Sequence, residues 1–221
     1  DRDRFVLSKG HTAPGLYAAL ANRGYFPVED LLTLRHIGSP LQGHPCVQHT
    51  PGVDASSGSL GQGISVAVGM ALSAKLSNED YRVYTLLGDG EIQEGQVWEA
   101  FMFAHHYKLD NLCVIIDNNG LQIDGAVDKV MSPYPIPDKL KAFGFAVKEI
   151  DGHDFDQIEA AFAEAKATKG VPFAIVMKTT KGKGVSYMEN QAGWHGKAPN
   201  DEEYKIAMDE LTAQLAEVEA M

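Results

Sequence analysis

Gly88-Asp89-Gly90 sets one carboxylate inside a turn whose backbone amides can face an anion, and Asn118-Asn119-Gly120 sets amide oxygens at a second turn. Glycine lets the main chain approach a ligand closely, and amides at the start of a helical segment favour negative charge. A carboxylate beside a diphosphate repels it unless a cation intervenes. Magnesium and calcium take hard oxygen ligands, commonly one or two protein carboxylates or carbonyls, with phosphate oxygens and water completing the shell. Asp89 and the side-chain oxygen of Asn119 form such a pair, so the two turns read together as a site for a divalent metal and a diphosphate. A lone Gly-Asp-Gly is ordinarily a plain turn. The asparagine-glycine turn is what shifts the balance.

The elements that must position these residues follow from the hydrophobic pattern. Val83 to Leu87 is an apolar, β-prone run ending at Gly88, and Leu112 to Ile116 is another ending at Asp117. Both have the unbroken apolar character of buried parallel strands. Trp98, Phe101, Met102 and His105 recur between them at helical spacing, which gives a strand-helix-strand unit. Phe145 to Ile150 and Phe173 to Met177 are two further strands, joined by a helix over Phe155 to Thr168. The expected fold class is therefore α/β: a parallel sheet with helices on both faces and ligands at the carboxyl ends of the strands. Leu60 to Leu76 predicts a helix with no clear polar face, hence one buried against other helices, and Asp201 to Ala220 an acidic amphipathic helix. Gly38 to Gly58, with three prolines, predicts a long functional loop.

Composition narrows the function classes. With 221 residues, 44% hydrophobic and 22% charged, the chain can bury one substantial core, and a single domain over residues 1–221 is expected. The net charge of -11 excludes a nucleic-acid surface, so any bound phosphate needs local basic groups. Cys46 and Cys113 show no metal or disulfide spacing, and no apolar run is long enough to span a membrane. A cytoplasmic protein is the expectation.

Five ordered segments give the sequence a resemblance to the transketolase family. Ser8-Lys9-Gly10-His11 resembles its Ser-x-Gly-His segment, Gly43-His44-Pro45 its Gly-His-Pro loop, and Gly58-Ser59-Leu60-Gly61-Gln62-Gly63 its Gly-x-Leu-Gly-Gln-Gly turn. Gly88-Asp89-Gly90 and Asn118-Asn119 resemble the thiamine diphosphate motif. The resemblance covers nearly the whole chain and implies a thiamine diphosphate-binding fold of the diphosphate-binding type. It implies that Asp89, the Asn119 amide and the main-chain oxygen of Leu121 hold the metal, Mg2+ or else Ca2+ or Mn2+. It places His11 and the Gly90 backbone at the diphosphate, Gly58 and Leu60 against the cofactor, and His195 of Trp194-His195-Gly196 at the diphosphate or the substrate side. His44 and His195 are expected to move protons on the sugar, since such transfers suit groups that titrate near neutrality. Glu94 and Glu99 resemble the carboxylates of the family's subunit interface; their alternative reading is solvated helix glutamates. His36, His49, His105, His106 and His153 have no such context, and Lys178 to Lys183 reads as a solvated turn.

The implied activity is transfer of a two-carbon ketol unit from a ketose phosphate to an aldose phosphate, as in the pentose phosphate pathway. In the family a glutamate of a second, pyrimidine-binding domain activates the cofactor. After Met177 only a loop and a helix remain here, less than a domain of typical size. The expectation is a split transketolase, a self-associating heterotetramer in which a C-terminal subunit carries the pyrimidine domain. The family's Ser-Gly-His-Pro-like helical segment ahead of the position of Asp1 is also missing, which suggests trimming, processing or disorder. Two other readings stand beside this one: a different thiamine diphosphate carboligase (1-deoxyxylulose phosphate synthase-like, or a transketolase for an unusual sugar), and a non-catalytic cofactor-binding module.

Overall fold

The computed structural model describes residues 2–220. In chain order the elements are β1 (Arg4–Leu7), α1 (Ala13–Asn22), α2 (Gly63–Leu76), β2 (Val83–Gly88), α3 (Gly95–His106), β3 (Leu112–Asn118), β4 (Leu121–Gln122), β5 (Gly125–Ala126), α4 (Val127–Val130), α5 (Ile136–Ala142), β6 (Ala146–Asp151), α6 (Phe155–Ala167), β7 (Phe173–Lys178) and α7 (Asp201–Glu219). Five of the strands form one parallel sheet in the order β1-β2-β3-β7-β6, and β4 and β5 make a separate two-stranded hairpin.

Period-two alternation divides the strand side chains between two cores. Val114, Ile116, Leu87 and Val176 face α2, α3 and α5 around Phe101 and Leu140, while Cys113, Ile115, Ile175 and Phe173 face α6 around Ala161 and Ala165. The helices thus lie on both faces, as the apolar runs of the strands require. Parallel pairing sends every strand's carboxyl end to the same edge, so Ser8, Asp89, Asn119 and Thr179, which follow β1, β2, β3 and β7, gather there.

Strand β1 lies outside the expected set. Its three apolar residues, Phe5-Val6-Leu7, sit behind the charged Asp1-Arg2-Asp3-Arg4 head, too short a run to stand out, yet Val6 is fully buried against β2. The helix expected from Leu60 starts at Gly63 instead. Gly61 adopts a positive φ of 81° and gives its N–H to a side chain rather than to a helical carbonyl, so the first turn cannot begin before it. Nor is α2 buried all round. Ile64, Ala67, Val68, Ala71 and Ala74 pack on the sheet and α3, whereas Val66 and Leu76 remain exposed. Helix α7 does dock on its own domain, through Ser186 to Glu210 and Gln214 to Gly184. Its start is fixed by a reciprocal capping box between Asn200 and Glu203.

Candidate active site

A cleft of about 450 Å³ opens at the carboxyl edge of the sheet, lined among others by His11, Gly58, Leu60, Asp89, Gly90, Glu94, Asn119, Leu121 and His195. Nine residues singled out in the sequence, spread from the first strand to the loop before α7, therefore meet in one place. His44 does not line this cleft. It lies in an adjoining depression with Ser56, Ser59 and Gln62, packed over Gly58, whose backbone walls both spaces. Glu99 is exposed on α3 and borders neither space.

Asp89 directly follows β2 and is 2% exposed. Its Oδ1 accepts from the Gly90 N–H at 2.8 Å and its Oδ2 from the Gly120 N–H at 2.6 Å, which ties the two glycine turns together. Burial pushes its carboxyl above the usual range against the pull of these two amides. A divalent cation would reverse that cost. Asn119 follows β3; its Oδ1 accepts from the Leu121 N–H at 3.0 Å and its Nδ2 leans on Asp117. No group of three or more His, Cys, Asp or Glu is placed to hold a metal among the described residues. The available donors are of another kind, one carboxylate with amide and main-chain oxygens, and they suit magnesium or calcium rather than a softer ion.

The basic groups that an acidic chain must supply locally are present. The ammonium of Lys9 is buried and donates to Asp117 Oδ2 at 2.6 Å. Burial alone would raise the Asp117 carboxyl, but Lys9, Thr179 and Asn119 together hold it below the usual range. Lys181 also lines the cleft, half-buried, which corrects its reading as part of a solvated turn: the loop after β7 folds back over the strand ends rather than into water. Burial, and then the charge of Lys9, lowers its pKa. The rings of His11 and His195 stack with centroids 5.2 Å apart. Burial, followed by Lys9, His195, Lys181 and His44, pushes His11 down to about 4, and burial with Lys181 also lowers His195. Both shifts favour the neutral imidazole. The Nδ1 of His195 is buried with no protein partner among the described residues, an orphaned polar atom of the kind that marks a ligand position.

Lys9, Lys181, Gln122 and Glu91 line the cleft without having been singled out in the sequence. Lys9 sits inside the Ser8-Lys9-Gly10-His11 segment and could have been read from it. Gln122 and Glu91 carry no comparable local signal.

Comparison with known proteins identifies the family. Residues 1–217 match the family model described as transketolase, thiamine diphosphate binding domain. The chain is 47% identical over 216 residues to 6-deoxy-6-sulfo-D-fructose transketolase subunit SqwG of Clostridium sp. (strain MSTE9), covering 98% of this chain and 78% of that protein. It is 44% identical to an apulose-4-phosphate transketolase subunit of Phocaeicola vulgatus, covering 99% of this chain and 77% of the relative. The crystal structure of transketolase from Campylobacter jejuni superimposes with a TM-score of 0.89 at 37% identity, over 94% of this chain and 34% of that one. The chain thus spans about a third of the solved transketolase. It belongs to the transketolase family, as a thiamine diphosphate-binding domain.

Proposed function

We propose that this member of the transketolase family is the diphosphate-binding subunit of a two-chain enzyme that moves a two-carbon ketol unit from a ketose phosphate to an aldose phosphate. The observation that carries the proposal is the meeting of Asp89, Asn119, Leu121, Lys9, Lys181, His11 and His195 in one cleft of an otherwise acidic chain. When bound, thiamine diphosphate supplies an electron sink for breaking the carbon-carbon bond next to the sugar carbonyl. Asp89, the Asn119 amide oxygen and the Leu121 main-chain oxygen hold Mg2+, with Ca2+ or Mn2+ as substitutes. The Gly90 amide, Lys9 and Lys181 face the diphosphate, and His11, kept neutral by its surroundings, offers an N–H rather than a charge. His195, whose surroundings favour its neutral form, can accept a proton from a sugar hydroxyl, and His44, in the adjoining depression across Gly58, can serve a second hydroxyl of a substrate that reaches it. Gly58 and Leu60 support the cofactor's bent shape.

The activating glutamate is assigned to a pyrimidine domain on a partner chain. The relatives named as subunits support this, and so does the outer face of α2 and α3, where Val66, Met102, Glu94 and Glu99 lie exposed. That face suits the partner and, through Glu94 and Glu99, self-association into a heterotetramer. No helix among the described residues is long and apolar enough to cross a membrane, and we place the enzyme in the cytoplasm. A transketolase for an unusual sugar is a second reading within the same chemistry, suggested by relatives named for a sulfofructose and for apulose 4-phosphate. The test is ketol transfer by this chain alone and after addition of a chain carrying the pyrimidine domain. Little activity alone and recovery on mixing is expected; full activity of this polypeptide by itself would sink the two-chain assignment.

A further inference from the structure

One carboxylate of the cleft has no part in the reading above. Glu91 follows the Gly88-Asp89-Gly90 turn, is 3% exposed and makes no ion pair among the described residues. Its Oε1 accepts from the Ser8 hydroxyl at 2.5 Å and from the Gly61 N–H at 3.0 Å, and its Oε2 accepts from the Gly88 N–H at 3.0 Å. The two main-chain partners can only donate, so they demand acceptors, and an amide in place of the carboxylate would turn its NH2 toward one of them. Hydrogen bonds to an ionised group are stronger than neutral ones, and a buried carboxylate without them would be strongly disfavoured.

The partners belong to three separate segments. Ser8 leads into Lys9 and His11; Gly61 closes the turn bearing Gly58 and Leu60; Gly88 precedes Asp89 and Gly90. The same segments are in close steric contact. A Cβ on Gly10 would lie 2.8 Å from the Gly58 nitrogen, one on Gly63 would lie 2.6 Å from Ser8 Cα, and the Ser57 hydroxyl donates to the Leu7 carbonyl at 2.6 Å. Every segment that carries a candidate cofactor contact on this side of the cleft is thus fastened to one side chain.

We infer that Glu91 is a positioning residue: a buried carboxylate that sets the spacing of the three segments gripping the cofactor, without touching the cofactor itself. This rests on the reading of the cleft as a thiamine diphosphate site. Groups that orient a site from behind commonly change affinity by about 10–100-fold when removed. The test is calorimetric titration of the full chain with thiamine diphosphate and magnesium for the wild type, Glu91→Gln, Ser8→Ala and Leu140→Ala, with melting temperatures and amide hydrogen exchange on the same samples. Leu140 is fully buried on α5, so its variant reports what destabilisation alone does. Glu91→Gln is expected to weaken binding about 10–100-fold. Ser8→Ala, the milder change should Glu91→Gln fold poorly, is expected to weaken it less. Leu140→Ala should lower the melting temperature yet bind as the wild type does. The Gly61 and Gly88 amides should lose protection together in Glu91→Gln while that of Ile115 is kept. Wild-type affinity in Glu91→Gln, an equal loss in Leu140→Ala, or unchanged protection at Gly61 and Gly88 overturns the assignment. A wild-type chain that takes up no thiamine diphosphate even after addition of the chain carrying the pyrimidine domain defeats the cofactor reading instead, and hydrogen exchange then decides alone whether Glu91 fastens the segments.

Discussion

The floor of the cleft and its mouth are built on opposite principles. On the floor, Lys9, Asp89, Glu91 and Asp117 are each tied by hydrogen bonds of 3.0 Å or less. At the mouth, Leu60 is 41% and Ile123 65% exposed, Glu94 stands in water, and His44 opens onto a separate depression. The floor is satisfied by this chain's own atoms, whereas the mouth has one wall. A diphosphate needs fixed charge and amides, which one chain can supply; under the proposed two-chain reading the ring end of the cofactor would be enclosed by a second surface.

Substitutions should separate the two regions by what they change. Asp89→Ala removes the only carboxylate among the proposed metal ligands. Magnesium-dependent cofactor binding should fall by more than the roughly 10–100-fold that loss of an outer support costs, measured by titration with and without EDTA; unchanged affinity would refute the metal assignment. Lys9→Ala leaves the partly buried Asp117 opposite no cation. Urea unfolding should show a loss of about 2–3 kcal/mol, below the full figure for deeply buried pairs because Asp117 is partly exposed, and cofactor affinity should fall with it. His11 tests the floor through pH. Its folded pKa of about 4 lies below the ordinary 6.5, so its contribution to stability is complete above about 6.5 and is lost as pH falls toward about 4. The pH dependence of urea midpoints should show that loss, and His11→Gln should flatten it. Leu60→Ala is expected to change the stability of the isolated chain by only about 0.5 kcal/mol, while lowering ketol transfer in the assembled enzyme. An equal effect on both measurements would erase the distinction between floor and mouth.

The floor was only partly legible in the sequence. Strands β2, β3 and β7, which make most of the sheet, were legible because short unbroken apolar runs have few other interpretations, and β6 was legible although Lys148 and Glu149 interrupt its run. Asp89 and Asn119 were legible because glycine punctuates their turns. Glu91 was not: a glutamate at the start of a helical segment reads as a solvated, dipole-favoured carboxylate, and its burial depends on Ser8, 83 residues away. Lys181 was hidden for the opposite reason. Three lysines around Gly182 look like a solvated turn, and only the fold of the loop after β7 brings one of them inward. Helix α2 marks the limit of hydrophobic patterning, for an apolar face states that a surface will be covered and not by which chain.

The pairing of Lys9 with Asp117 has a consequence for how fast and how selectively an anion is captured. An exposed lysine would have to shed its own water at the moment of binding. Lys9 is stripped of water when the chain folds, its charge held by an internal counter-ion, so under the proposed assignment an arriving diphosphate would have only its own hydration to give up. The neighbouring carboxylate offsets part of the Lys9 charge, so on the proposed reading strong retention would fall to a ligand that brings several charges and a metal.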